Sequence, residues 1–301
     1  MPELPEVETV RAGLEHFVVP AVVDSVDVVD TRGLRPSGGL EDAALFETTL
    51  SGRQFTAVNR RGKYLWFILD DGTAMLAHLG MSGQFRVSPQ HAPQHRHTRI
   101  VITLDDGRDL RFLDQRTFGG LTLAPLVDGI PGPVTHIAPD PFEECFDVDE
   151  VARRLCARRS AIKRSLLDQT LVSGIGNIYA DETLWRVRRH PETPCSRLSQ
   201  SEAVELLQTA RDVMAEAMSQ GGTSFDSLYV NVNGESGWFF RVVDAYGRED
   251  EPLPPMWDAD RTRVFHEPEL VPVPEVSETT VILPSSGMAS AAVALSPWAG
   301  G

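Results

Sequence analysis

Several things are scarce in this 301-residue chain, and each scarcity excludes something. No run of about 18 apolar residues occurs, which excludes a transmembrane helix. The first 20 residues carry Glu3, Glu6, Glu8 and Glu15, so they cannot form the apolar core of a signal peptide, and the cytoplasm is the expected location. There are three cysteines, Cys145, Cys156 and Cys195, and no C-x-x-C pair. That argues against a disulfide framework and against a cysteine zinc site. Lysine is scarcer still: of 28 basic residues only Lys63 and Lys163 are lysine. An ammonium differs from a guanidinium in that its pKa shifts readily and it can act as a nucleophile or proton donor. These two positions are therefore the ones to suspect of needing an amine, against the simpler reading of coding bias.

What is present is an ordinary globular balance, 42% hydrophobic and 24% charged, long enough for two domains. The net charge of -15 taken as a total argues against a polyanionic partner, but its distribution does not. Residues 151–190 hold nine bases and three acids, and residues 52–64 hold Arg53, Arg60, Arg61 and Lys63 with no acid. After residue 190 there are 17 acids and six bases. An acidic body with two basic islands fits a localised polyanion site, while solvated basic faces remain the plainer alternative.

Patterning predicts an α+β fold. Residues 4–17 read as a leading helix, with Pro5 in the first turn, Glu6 and Glu8 at its positive end, and Val7, Val10, Leu14 and Phe17 near helical spacing. From 18 to about 125, short alternating runs separated by DDG and DDGRD turn signals predict a β-sandwich or barrel. The Pro- and Gly-rich stretch 124–144 reads as a linker. Helices are expected at about 148–158, 160–170, 177–187 and 200–219. Between the second and third lies LVSGIGN, where Gly174 and Gly176 permit a tight turn and Asn177 can cap the next helix. A glycine turn before a helix N-terminus is a ready phosphate seat. WFFRVVDAYGR reads as strand, and the chain from about 271 reads as a disordered tail.

The chain begins MPELPEVETV. Removal of Met1 makes Pro2 a secondary amine with a reference pKa of about 7.7–8.0, able to attack a sugar carbon and pass to an iminium. Glu3 beside it is a candidate general acid or base. The opening MPELPEVETVR, with NRRGKYL, HLGMSGQFR, LDQRTFGG, IKRSLLDQTLVSGIGNIYADETLW, GGTSFDSLYVNVNGESGWFF and AYGRE, resembles the formamidopyrimidine-DNA glycosylases. The motifs fall in the family's order across about residues 1–250. Leu4 distinguishes the opening from the endonuclease VIII-like sister group, which typically has glycine there.

The resemblance implies roles. Pro2 is the nucleophile at C1′, Glu3 assists opening of the sugar ring, Glu6 is a supporting carboxylate and Lys63 serves the proton transfers of strand cleavage. Met81, Arg116 and Phe118 fill the void left by a flipped-out nucleotide, with Arg116 reading the opposite cytosine. Flipping costs a few kcal/mol of stacking and pairing, which an apolar wedge and a guanidinium partly recover. From its sequence alone, Met81 reads as core. His95, Arg116 and Arg159 contact DNA, and Lys163 and Asn177 bind phosphate within a helix–two-turn–helix.

The chain departs from the family at its end, where a four-cysteine zinc finger is usual. The matching positions here are Leu253, Met256, His266 and Glu269, which cannot form a tetrahedral zinc site, so no cofactor is expected. The finger is expected to be a metal-free β-hairpin, shortened between Met256 and His266, with Arg261 carrying the finger-tip role in the final elimination. Thr117 stands where a second arginine is common, and Asp226 where some members have a base in the lesion-capping loop.

The expected organisation is a catalytic β-sandwich with leading helix (1–135), a helical DNA-binding domain (136–225), a capping loop and zincless finger (226–270) and the tail (271–301). The expected function is that of a monomeric, nucleoid-associated base-excision-repair enzyme acting on damaged double-stranded DNA, away from membranes. It would remove oxidised purines through a Pro2 Schiff base followed by β,δ-elimination. The alternatives are an endonuclease VIII-type lyase for oxidised pyrimidines or abasic sites, a catalytically weak DNA-binding paralogue, and an interaction protein using the acidic body.

Overall fold

The computed structural model describes residues 1–34, 42–221 and 245–246. The leading helix α1 spans Leu4–Val18, and the Glu3 backbone N–H at its start donates to the Glu6 carboxylate at 2.8 Å. Among the described residues nine strands follow, arranged in two antiparallel sheets. One sheet has the order β1 (Val23–Asp27), β6 (Thr98–Leu104), β7 (Arg108–Asp114), β5 (Gly83–Pro89). The other has β2 (Phe55–Arg61), β3 (Tyr64–Leu69), β4 (Thr73–His78), β8 (Gly120–Val127), β9 (Ile130–Pro131). Their facing sides bury Phe55, Phe67, Phe85 and Phe112 in one aromatic file, with ring centroids 4.7 to 5.7 Å apart. The DDG signals are turns, with Gly72 and Gly107 at φ +80° and +82°.

Four segments differ from the expectation. A helix α2 (Ala43–Leu50), capped by the Asp42 side chain, was not expected, nor was β5. The stretch 124–144 is not wholly a linker: it completes β8 and turns through Asp128–Gly129 into β9, pairing Val127 with Ile130. Both turn residues have positive φ, the conformation of a tight hairpin. The predicted helix 160–170 is only α4 (Ile162–Leu166). Beyond it the chain is held by side chains instead: Asp168 accepts from the Thr170 backbone N–H, and the Gln169 amide bonds to Leu167 O, Ile175 O and Gly174 N.

Helices α3 (Val148–Cys156), α5 (Asn177–Arg186) and α6 (Gln200–Ser219) pack with α4 around Leu155, Leu166, Tyr179, Leu206 and Val213. Helix α1 joins the two cores: Leu4 is buried among the helices, while Val7, Leu14 and Val18 are buried in the sandwich. The residues just before Leu4 are thereby placed at the junction of sheet and helices. No helix among the described residues is long and apolar enough to cross a membrane. The expected strand WFFRVVDAYGR, apart from Ala245 and Tyr246, the capping loop, the finger and the tail lie outside the described residues.

Candidate active site

Helix α5 begins without a side-chain cap of its own, because its N-cap is Gly176. Asn177, expected to cap it, is its first helical residue. The cap comes from 173 residues away: the Glu3 carboxylate accepts from the backbone N–H groups of Gly176 at 2.5 Å, Ile178 at 2.9 Å and Tyr179 at 3.4 Å. Glycine is needed at 176 because a Cβ would stand 2.3 Å from Glu3 Cδ. At Gly174, with φ +96°, a Cβ would meet Leu4 side-chain atoms at 2.6 and 2.8 Å. The two glycines of LVSGIGN thus let the start of α1 lie against the start of α5. Behind Glu3, the buried Tyr179 hydroxyl donates to Glu6 Oε1 at 2.7 Å.

Lys63 reaches the same place from the β2–β3 turn and is itself buried. A cavity of about 380 Å³ is lined by Met1, Glu3, Lys63, Asn177, Tyr64, His78, Gln169 and Tyr246, among others. Burial raises the Glu3 pKa from 4.5 to about 7, opposed by the Lys63 ammonium and the helix N–H groups and reinforced by Glu6. Burial likewise lowers the Lys63 pKa, opposed by Glu3 and Glu6. A carboxyl group poised near neutrality beside a desolvated amine is suited to proton transfer at neutral pH. Pro2 is buried next to exposed Met1.

Met81, Arg116 and Phe118 come together on two adjoining turns. Met81 lies between β4 and β5, Arg116 and Phe118 between β7 and β8. The turns touch at their backbones, since a Cβ on Gly80 would lie 2.4 Å from Gly119 N. The Asp114 carboxylate organises them: it accepts from the Ser82 hydroxyl at 2.5 Å, the Arg116 N–H at 3.1 Å and the Gly119 N–H at 2.7 Å. Met81 and Phe118 are 36% and 53% exposed, so the reading of Met81 as core is corrected. The Arg116 guanidinium lies 5.4 Å from the Phe118 ring centroid.

The other expected contacts are dispersed. Lys163 on α4 is paired with Asp181 of α5 at 2.8 Å. Arg159 is exposed in the α3–α4 turn. His95 is exposed in the β5–β6 connection, its Nδ1 accepting from the His97 N–H, and it does not line the cavity. The basic island at 52–64 is largely neutralised. Arg53 pairs with Asp71, Arg60 with Glu8 and Asp140, and Arg61 with Glu143. Within the 151–190 island, Arg154, Arg159, Arg164 and Arg188 make no ion pair among the described residues.

No group of three or more His, Cys, Asp or Glu among the described residues could hold a metal ion, and the three cysteines are free. Arg261, Leu253, Met256, His266 and Glu269 lie outside the described residues. Sequence reasoning missed His78, Asp114, Tyr179 and Tyr246, although all four lie in or beside quoted motifs; none carries a charge pattern that singles it out.

Residues 1–121 match the family model of the formamidopyrimidine-DNA glycosylase N-terminal domain, and residues 137–228 that of the H2TH domain. The chain belongs to the formamidopyrimidine-DNA glycosylase family. It is 54% identical to the formamidopyrimidine-DNA glycosylase of Nocardioides sp., covering 83% of this chain and 85% of that one. It is 52% identical to that of Rhodococcus jostii, covering 88% and 92%. The MutM (Fpg) structure from Thermus thermophilus matches with a TM-score of 0.72 at 37% identity, over 84% of this chain and 90% of that one. The Lactococcus lactis Fpg complex with abasic-site DNA matches with a TM-score of 0.71 at 31% identity, over 82% and 88%. The mixed α+β architecture, sheets first and H2TH helices after, is the one expected from patterning and resemblance.

Proposed function

We propose that this glycosylase is bifunctional, excising oxidised purines such as 8-oxoguanine and formamidopyrimidine from double-stranded DNA and then cleaving the strand as a lyase. The observation that carries the reading is the burial of Glu3 and Lys63 together at the cavity reached by the chain's first residue. Family neighbours solved with abasic-site DNA and with Fapy-dG DNA support the same class of partner.

The residues divide the chemistry as follows. With Met1 removed, the Pro2 nitrogen opens toward the cavity that Met1 now lines. Its lone pair attacks C1′ and the bond to the base breaks, the electron pair leaving with the base, which takes up the proton released by the Pro2 nitrogen. Glu3, its pKa raised by burial to about 7, delivers its proton to the ring oxygen as the sugar opens to the iminium. Loss of a C2′ proton then expels the 3′ phosphate, a second elimination expels the 5′ phosphate, and water releases the sugar fragment. Lys63 is the amine for these later proton transfers. Glu6 holds Tyr179 and the Glu3 backbone N–H, a supporting role.

Met81, Arg116 and Phe118 would enter the duplex at the vacated position, with Arg116 bonding to the opposite cytosine. Arg159, Lys163, Asn177 and His95 would hold backbone phosphates, which position DNA without reading sequence. The finger is proposed to be metal-free, because Leu253 offers no donor and Met256 a poor one. A structural zinc would otherwise supply on the order of 10–16 kcal/mol of apparent binding energy. Arg261 is its proposed tip residue.

The test is borohydride trapping on a duplex with 8-oxoguanine opposite cytosine. Trapping that survives chelation and is lost both in Pro2→Gly and in protein retaining Met1, whose Pro2 nitrogen is an amide, supports the whole reading. Trapping only on an abasic duplex moves the substrate away from oxidised purines. No trapping on either duplex by folded protein with a free Pro2 overturns the lyase.

A further inference from the structure

We infer that Arg60 and Asp140 are positioning residues that fix the turn carrying Lys63 against the helix carrying Glu3. Gly62 immediately precedes Lys63, and both of its backbone polar groups are held by side chains of this pair. The Gly62 N–H donates to Asp140 Oδ2 at 2.9 Å, and the Gly62 carbonyl accepts from Arg60 Nη1 at 3.2 Å. The same Arg60 nitrogen donates to Asp140 Oδ2 at 2.6 Å, and Arg60 Nε donates to Glu8 Oε2 at 2.9 Å. Glu8 lies on α1, five residues beyond Glu3 and two beyond Glu6. Asp140 comes from the segment that leads to the helical core, and its side chain is wholly buried, as is nearly all of Arg60.

The charges in this network thus serve geometry. Three elements distant in sequence, at residues 8, 60–63 and 140, are joined by a buried salt bridge that holds the backbone of Gly62 and, through Asp140 Oδ1, the Phe142 N–H at 3.1 Å. A buried ion pair of this kind is weak evidence for stability but well suited to enforcing one arrangement. Its position is also tight. Gly62 has φ +54°, and a Cβ there would lie 2.7 Å from Ser173 and 2.9 Å from Gly174 N, so the turn is pressed onto the loop that leads to Gly176. The placement of Lys63 comes from the backbone on which it stands.

This inference rests on the proposed roles of Lys63 and Glu3, and the experiment separates the two. The variants are Asp140→Asn, which keeps an oxygen for Gly62 but removes the charge, and Arg60→Lys, which keeps charge but not the fork. Both are made in protein labelled at lysine Cε. Because the parent chain has only Lys63 and Lys163, two signals suffice to follow each amine's titration, with a third in Arg60→Lys. The Lys63 titration is expected to move up toward the ordinary lysine value in both variants, while Lys163 stays put. Single-turnover base release is expected to fall about tenfold or more, as for a displacement of the order of 1 Å, with affinity for a duplex carrying a tetrahydrofuran abasic analogue unchanged within about twofold. An unmoved Lys63 titration overturns the inference, whether rates fall or not, since the network would then serve stability alone. Should Asp140→Asn not fold, Arg60→Lys gives the same readouts. If the parent protein releases no base from any duplex, the proposed function fails, and the Lys63 titration still decides the positioning.

Discussion

Gly176→Ala is the sharpest perturbation the structure offers, because it isolates one contact. Gly176 has φ −126° and ψ −161°, extended backbone that alanine adopts freely, so no backbone strain enters. The added Cβ would instead stand 2.3 Å from Glu3 Cδ, 2.4 Å from Oε1 and 2.7 Å from Cγ. A flexible side-chain end could ordinarily swing aside. This one is 3% exposed and fastened by three backbone N–H groups. Overpacking of this kind costs about 1–3 kcal/mol, and disturbing the cap of α5 about 1 kcal/mol more. We expect a total near ~3 kcal/mol by urea denaturation, together with loss of base release. In a Glu3→Ala background the colliding atoms are gone. Only the preference of glycine over alanine at an N-cap remains, below about 1 kcal/mol. The double-mutant cycle should therefore give a coupling of about 2 kcal/mol between residues 3 and 176. Equal costs of Gly176→Ala in the two backgrounds would refute the claim that this glycine exists to admit Glu3.

Other outcomes follow from the same geometry. Glu3 is raised from 4.5 to about 7 in the fold, so its contribution to stability is full below pH 4.5 and is lost as pH rises through about 7. The loss amounts to about 3 kcal/mol; Glu3→Gln should remove that slope from the stability–pH curve, and an unchanged slope would place the titration elsewhere. On the proposed roles, base release needs Pro2 neutral and Glu3 protonated, so its single-turnover pH profile should be a bell with its apex at about 7 to 8, and Glu3→Gln should abolish the alkaline limb. Lys163 must leave Asp181 to reach a phosphate, so Asp181→Asn should tighten binding to an undamaged duplex at low salt; unchanged affinity would show that the pair does not compete with DNA. Asp114→Asn should weaken discrimination for cytosine opposite the lesion without altering the trapping rate on single-stranded abasic DNA, since Asp114 braces the turns of Met81, Arg116 and Phe118.

The fold was legible where one rule governed a segment. Alternation with DDG turns marked β3, β4, β6 and β7, and the start of α1 followed from Pro5, Glu6 and apolar spacing. It was misread where two rules competed. In 124–144, Pro and Gly signalled a linker, yet Asp128–Gly129 is also the dipeptide of a tight hairpin, and the strand partner β4 decided the matter. In 160–170, helical composition ran on past Leu166, but Asp168 and Gln169 offered the backbone side-chain bonds that compete with helix. The exposure of Met81 could not be read from its own residue type, because methionine serves equally in a core; it depends on how its turn abuts the neighbouring one, Gly80 against Gly119.

The site was legible as a set of residues but not as a device. Pro2, Glu3 and Lys63 stood out through the resemblance, and Lys63 also through the shortage of lysine. Nothing local in the sequence says that Glu3 caps a helix 173 residues away, or that Gly174 and Gly176 are small for the benefit of Leu4 and Glu3. That relation explains a tension in the energetics. A buried carboxyl group destabilises the fold at neutral pH, and an N-terminal helix end without a cap does too. Bringing them together offsets part of each, and it leaves a carboxyl that still holds its proton near neutral pH and can give it away there. Arg60 and Asp140 then matter for the complementary reason. The Lys63 ammonium draws the Glu3 pKa down, so any motion of the β2–β3 turn changes how readily Glu3 parts with its proton. A rigid turn is therefore a condition for a defined acid, and a buried ion pair placed on Gly62 is a direct way to obtain one.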